Sequence, residues 1–138
     1  MRPIFGRALW LGHAGDLRDV RKLLETDLKA VVELADNEPF AVLPRELIRC
    51  RFPLSDGGDN PEWLLRLAVE SVATLLRAGV PLLVCCSAGM SRSVCVAAGG
   101  IARAEGRPLD EAFAEVVASG AVDVMPSLWE QMRQACDW

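Results

Sequence analysis

The nineteen residues "LLVCCSAGMSRSVCVAAGG" (82–100) constrain this chain more than any other segment. The apolar run "VPLLVCC" (80–86) has the character of a strand buried on both faces. Small polar residues follow, "SAGMS", and 92–105 then reads as a helix of small and apolar residues. A buried strand that passes through a five-residue loop straight into a helix demands an α/β arrangement. The junction also points backbone N–H groups into a common space at a helix N-terminus. Unpaired donors and the helix dipole make such a place attractive to anions. Gly89 admits backbone angles closed to other residues.

The rest of the chain fits around this unit. "RALWLG" (7–12), "LKAVVELA" (28–35) and "ELIRCRFPL" (46–54) read as strands. "DLRDVRKLLET" (16–26) has Leu17, Val20, Leu23 and Leu24 at helical spacing, with Asp16 as its N-cap. A second helix spans 61–78 on the face Leu64, Leu67, Ala68, Val72 and Leu75; Asn60 caps it, Pro61 suits its first position and Gly79 ends it. Helices follow at 92–105, 109–119 and 126–136. "DNEPFAVLP" (36–44) and "SDGGDNPEW" (55–63) read as loops. The order predicts one domain over 1–138: a three-layer α/β sandwich with a central, mostly parallel sheet of about 4–5 strands flanked by helices.

Composition narrows the function classes. A net charge of −4 makes a nucleic-acid backbone an unsuitable general partner. Cys50, Cys85, Cys86, Cys95 and Cys136 are odd in number and two are adjacent, unlike an extracellular disulfide framework. With a single histidine, His13, a Cys/His zinc site has little support. No signal-peptide pattern or membrane-length apolar run occurs, so the expectation is a cytoplasmic protein.

Cys86 stands at the base of the anion loop. A thiol ringed by N–H donors, near a helix N-terminus and an arginine, ionises readily. Arg92 adds a planar fork that can grip two phosphate oxygens. A cation at a helix start is disfavoured by the dipole, and a bound anion would explain it. Nucleophile and oxyanion clamp thus come from one short segment, and the chemistry it suggests is attack on phosphorus to give a phosphocysteine. The backbone of Ser87, Ala88, Gly89, Met90 and Ser91 would hold the phosphate. A proton donor is also needed on a loop above the site. "FPLSDGGDN" offers Asp56 and Asp59.

The segment Cys86-Ser87-Ala88-Gly89-Met90-Ser91-Arg92-Ser93 resembles the Cys-x5-Arg-[Ser/Thr] signature of cysteine-dependent protein phosphatases. With Gly89 and the preceding "LLVC" it looks most like the dual-specificity branch. "LWLG", "FPLSD" and "MPSLWEQM" are similar to further blocks of that family, so the resemblance covers roughly 8–136. It implies a protein tyrosine phosphatase-like fold and hydrolysis of phosphomonoesters without metal or organic cofactor. The implied substrate is a phosphoprotein carrying phosphotyrosine, and phosphoserine or phosphothreonine as well, with no nucleic acid or membrane as partner. The resemblance selects Asp56, thirty residues before Cys86, as the acid, with Asp59 in reserve. It gives Ser93 the role of hydrogen-bonding the Cys86 sulfur.

One position departs from the family pattern. Cys85 stands where a histidine usually precedes the nucleophile and organises hydrogen bonds behind the loop; cysteine is smaller and a weak donor. The departure implies slower turnover, or a catalytically silent phosphate-binding pseudophosphatase. A rhodanese- or arsenate-reductase-type enzyme also uses a cysteine loop, but sulfur transfer needs no acid at Asp56. Plainer roles are expected elsewhere: core packing for Cys50, Cys95 and Cys136, helix faces for Trp63, Trp129 and Met132, and a loop position for His13. Arg49 and Arg51 either flank the phosphate site or lie on an ordinary strand face.

Overall fold

Parallel pairing requires crossover connections, and the alternation of apolar runs with helical segments supplies them. The computed structural model describes residues 1–137. In chain order they form β1 (Arg2–Pro3), β2 (Leu9–His13), α1 (Ala14–Arg18), α2 (Val20–Glu25), β3 (Ala30–Ala35), β4 (Ile48–Leu54), α3 (Glu62–Arg77), β5 (Leu82–Cys86), α4 (Arg92–Glu105), α5 (Leu109–Val117) and α6 (Pro126–Ala135). The sheet order is β1-β2-β5-β3-β4. Only β1 is antiparallel to its neighbour; the other four strands run parallel. The expected sandwich with its mostly parallel sheet is what the chain forms.

Two apolar clusters pack against opposite faces of the sheet. One joins Leu11, Val84 and Cys86 to Val69, Val94, Ile101 and Leu128 of the long helices. The other joins Leu83 and Cys85 to Leu17 and Leu23 of α1 and α2. Alternation along β5 therefore sends the two adjacent cysteines to opposite sides, as an extended strand requires. Because β2, β5, β3 and β4 are parallel, their C-terminal ends share one edge. The loops that leave β2, β3, β4 and β5 emerge there together.

Several local expectations are corrected. The helix expected over 16–26 is two short helices broken at Asp19. Asp19, not Asp16, caps the second, accepting from the Lys22 N–H at 3.1 Å. Asp16 lies inside α1 and is buried; it accepts from the backbone N–H of His13 at 3.0 Å and pairs with Lys22 and the Met1 amino group. Burial alone would raise its carboxyl, but these donors outweigh it and hold it below the ordinary value. The N-cap of α3 is Pro61, and Asn60 is used elsewhere. The buried stripe of α3 is Leu65, Ala68, Val69, Val72 and Ala73, whereas Trp63 and Leu67 are 67% and 49% exposed. That helix is apolar on two sides, and contact with α4 decides which is buried. Gly100 on α4 makes the approach possible, because a side chain there would collide with Val72. The strand β1 was not foreseen, since two residues including a proline carry no period. Among the described residues no helix is long and apolar enough to cross a membrane.

Candidate active site

Cys86 ends β5 in register with His13 at the end of β2. The chain then turns through 87–91 and enters α4 at Arg92. The turn works only with glycine at its centre. Gly89 has φ +74°, and a Cβ there would come within 2.7 Å of the Gly12 carbonyl oxygen. The loop is thereby seated directly on the end of β2. Cys86 is 4% exposed, and its Sγ lies 3.4 Å from the Ser93 hydroxyl on the first turn of α4.

Arg92 is 6% exposed and firmly held. Its Nη1 donates to Asp36 Oδ1 at 3.1 Å, Asn37 Oδ1 at 3.2 Å and the Leu54 carbonyl at 2.8 Å. Its Nη2 donates to Asn37 Oδ1 at 3.2 Å and the Ser87 hydroxyl at 3.0 Å. The Asp36 carboxylate offsets the charge of Arg92 at the helix start, so a bound anion is not required to explain it. The Ser87 hydroxyl lies 3.1 Å from Asn37 Oδ1 and 3.0 Å from Glu38 Oε2, and donates to one at a time. Asp36, Asn37 and Glu38 thus sew the loop after β3 to the loop after β5.

On the other side, the Ser91 hydroxyl donates to Asp56 Oδ1 at 2.6 Å and accepts from the Met125 N–H at 3.0 Å. Asp56 is exposed, on the rim of the loop that carries Cys86. Asp59 turns to its own loop, accepting from the Ser55 hydroxyl at 2.5 Å. The segment 55–60 is shaped by the buried Asn60, whose Oδ1 accepts from the Ser55 N–H at 2.8 Å. Its Nδ2 donates to the carbonyls of Ser55 and Gly57 at 3.0 and 3.1 Å. Gln131 of α6 bonds to both the N–H and the carbonyl of Asn60. Asn60→Ala strands these backbone groups, and chemical denaturation should show a loss of roughly 1–3 kcal/mol.

The structure thus sets three hydrogen-bonded groups around the 86–93 segment, Cys86 with Ser93, Arg92 with Ser87, and Ser91 with Asp56, and leaves Asp59 bonded within its own loop. Arg49 and Arg51 join none of these groups. Both pair with the buried Glu33, at 2.8 and 3.4 Å, and donate to the carbonyls of Ala41 and Glu38 beneath the Phe40 ring. They brace the loop after β3. His13 is not the expected loop residue: it ends β2 and stands at the N-cap of α1, with Nε2 3.7 Å from Asp16 Oδ2. Asp36, Asn37 and Glu38 are the site residues that the sequence reading passed over. Their signal was three acceptors in succession directly after a buried strand.

The other thiols are chemically quiet. Burial pushes Cys85 far up, helped by Glu33, and its Sγ sits 3.7 Å from the Val32 carbonyl. Burial, with Asp56 and Cys86 behind it, pushes Cys95 up to about 12; burial likewise takes Cys136 up to about 12 and raises Cys50. All five cysteines are free. A cavity of about 340 Å³ opens on the α1–α2 side, with Leu17, Val20, Phe40, Arg51, Cys85 and Cys86 in its walls. No group of three or more His, Cys, Asp or Glu residues among the described residues could hold a metal ion.

Comparison with solved structures gives extensive matches. Human DUSP28 superposes with a TM-score of 0.86 at 22% identity, covering 99% of this chain and 96% of that one. A mouse putative dual specificity phosphatase complexed with zinc tungstate gives 0.81 at 24% identity, over 93% and 81% of the two chains. A human tyrosine phosphatase-like serine/threonine/tyrosine-interacting protein gives 0.79 at 18% identity, over 97% and 93%. At these identities the shared property is the fold. No protein-family model and no curated protein matches the sequence.

Proposed function

We propose that this chain, which has the dual-specificity phosphatase fold, is a one-domain cysteine-dependent phosphatase that hydrolyses phosphate monoesters. The observation that carries the reading is the Asp56 carboxylate held through Ser91 on the same loop whose base is Cys86. A nucleophile and a proton donor at one anion-binding loop are what two-step phosphoryl transfer requires.

In the first step the Cys86 thiolate attacks phosphorus. The bond from phosphorus to the ester oxygen breaks, and Asp56 in its acid form gives that oxygen a proton. In the second step the Asp56 carboxylate takes a proton from water as the water oxygen attacks phosphorus. The sulfur–phosphorus bond then breaks, which restores the thiolate and releases inorganic phosphate. The N–H groups of 87–92 receive the phosphate oxygens. All the hydrogen bonds of Arg92 given above are made by its terminal nitrogens, and its Nε is the donor we assign to phosphate. Asp36 and Asn37 fix that orientation in advance, which lowers the cost of ordering the site. Ser93 hydrogen-bonds the sulfur and favours its departure in the second step.

The substrate we assign is a phosphoprotein, with phosphotyrosine and phosphoserine or phosphothreonine accepted at a shallow rim, in a cytoplasmic setting. The test is hydrolysis of p-nitrophenyl phosphate by the wild-type protein without added metal, with acid quenching to trap the phosphoenzyme on Cys86. Turnover with a trapped phosphocysteine is expected. Vanadate binding that depends on Arg92, without turnover, would make the protein a silent phosphate-binding module. Turnover of thiosulfate instead would move it to the sulfur-transfer class.

A further inference from the structure

Ser91 stands at the N-cap of α4, where a serine ordinarily turns its hydroxyl back to accept from an N–H of the first turn. This one does not: no side-chain bond caps α4. The first N–H groups of the helix are thereby left open to an anion at the 86–92 loop. Ser91 is 7% exposed, and its hydroxyl is used in another direction. It donates to Asp56 Oδ1 at 2.6 Å and accepts from the Met125 N–H at 3.0 Å.

The second bond fixes the sense of the first. A backbone N–H can only donate, so the Ser91 oxygen meets Met125 as an acceptor and its single hydrogen goes to Asp56. In the acid form of Asp56, Oδ1 is then the accepting oxygen and Oδ2 carries the proton.

Met125 is itself held in place. The connection 118–125 between α5 and α6 lies along the Cys86 loop, where the Asp123 N–H donates to the Met90 carbonyl at 2.9 Å. Past Met125, α6 turns to the loop that carries Asp56. Ser127 packs on Gly58, where a Cβ would come within 3.2 Å of the Ser127 Cβ, and Gln131 accepts from the Asn60 N–H at 3.1 Å. One connection and one helix therefore brace both loops, and the bond from Ser91 to Asp56 joins them.

We propose that Ser91 is a positioning residue for the acid: its hydroxyl, oriented by the Met125 N–H, takes up Asp56 Oδ1 and leaves Oδ2 to give the proton. That proton passes to the ester oxygen as the phosphorus–oxygen bond breaks, and the carboxylate left behind still accepts from Ser91. Withholding the serine from the helix cap thus serves two ends. The N–H groups of α4 stay available to phosphate, and the acid loop gains a fixed point on the loop of the nucleophile.

The proposal rests on Asp56 as the acid of the phosphatase reading, and its test separates the two. Benzyl phosphate and p-nitrophenyl phosphate are similar in shape, but only the first needs its leaving group protonated. For each ester kcat/KM is measured, which reports the enzyme's first step rather than hydrolysis of the phosphocysteine. In Ser91→Ala it falls about tenfold further for benzyl phosphate than for p-nitrophenyl phosphate, a share of the roughly 10²–10⁴-fold that a general acid supplies. In the Asp56→Asn background the same substitution changes the ratio between the esters by less than about twofold. Equal losses on both esters in Ser91→Ala, or an undiminished change of ratio in the Asp56→Asn background, overturn the proposal and leave Asp56 as the acid. If Asp56→Asn itself loses no more on benzyl phosphate than on p-nitrophenyl phosphate, the acid reading is overturned and the proposal with it. Should Ser91→Ala not fold, Met125→Pro decides. Met125 has φ −67°, an angle proline adopts, so this variant removes the N–H with the backbone path kept. It shows the same preferential loss on benzyl phosphate, about threefold, and equal losses on the two esters overturn the proposal.

Discussion

Cys86→Ser abolishes turnover of p-nitrophenyl phosphate, a loss on the order of 10⁴-fold or more, while vanadate binding and thermal stability stay near wild type. A serine hydroxyl is far less acidic than a thiol in the same place, so no anionic nucleophile forms near neutral pH. Structure is spared because serine is slightly smaller than cysteine and stays polar beside the Ser93 hydroxyl. The N–H groups of 87–92 proposed to receive phosphate, and Arg92, are untouched. Stopped-flow kinetics and vanadate titration check both halves. Activity retained within tenfold would show that the sulfur is not the nucleophile.

Asp56→Asn lowers kcat by about 10²–10³-fold, within the usual range for loss of a general acid. Asparagine keeps an oxygen to accept from Ser91, so the loop stays in place and only the transferable proton is lost. The loss should be smaller for p-nitrophenyl phosphate, whose leaving group departs unaided, and larger for an alkyl phosphate. Asp59→Asn changes kcat little, because that carboxylate is turned to Ser55. Comparing both variants on both esters separates the acid from its neighbour. A larger loss in Asp59→Asn, growing with leaving-group basicity, would exchange the two roles.

The strand, loop and helix around Cys86 were legible because each has its own local signal: a run of apolar residues, a glycine in small polar company, a helical period. From them the parallel sheet and the gathering of loops at one edge follow. Asp56 could be narrowed to a pair by loop chemistry, and the structure separates the two by their partners, Ser91 and Ser55. The anchoring of Arg92 was not legible. Asp36, Asn37 and the Leu54 carbonyl are 38–56 residues away from it in the chain, and nothing local marks an acceptor as waiting for a distant arginine. The break of the first helix at Asp19 was hidden for a similar reason, since the apolar spacing continues across it. The buried side of α3 depended on where α4 came to rest, which a helix with two apolar sides does not specify.

The shared edge of β2, β5, β3 and β4 divides the molecule into an engine and its interchangeable fittings. Cys86, Ser93 and Arg92 sit on a rigid strand and helix, whereas the rim is made of connections between strands and helices. The span 36–47 between β3 and β4 carries both the Arg92 anchor and exposed Phe40 and Val42. Residues beyond the anchor could therefore be lengthened or transplanted to change which surfaces dock, with the chemistry left in place. The same modularity makes 39–43 the natural place to engineer selectivity, and 36–38 the place to leave alone.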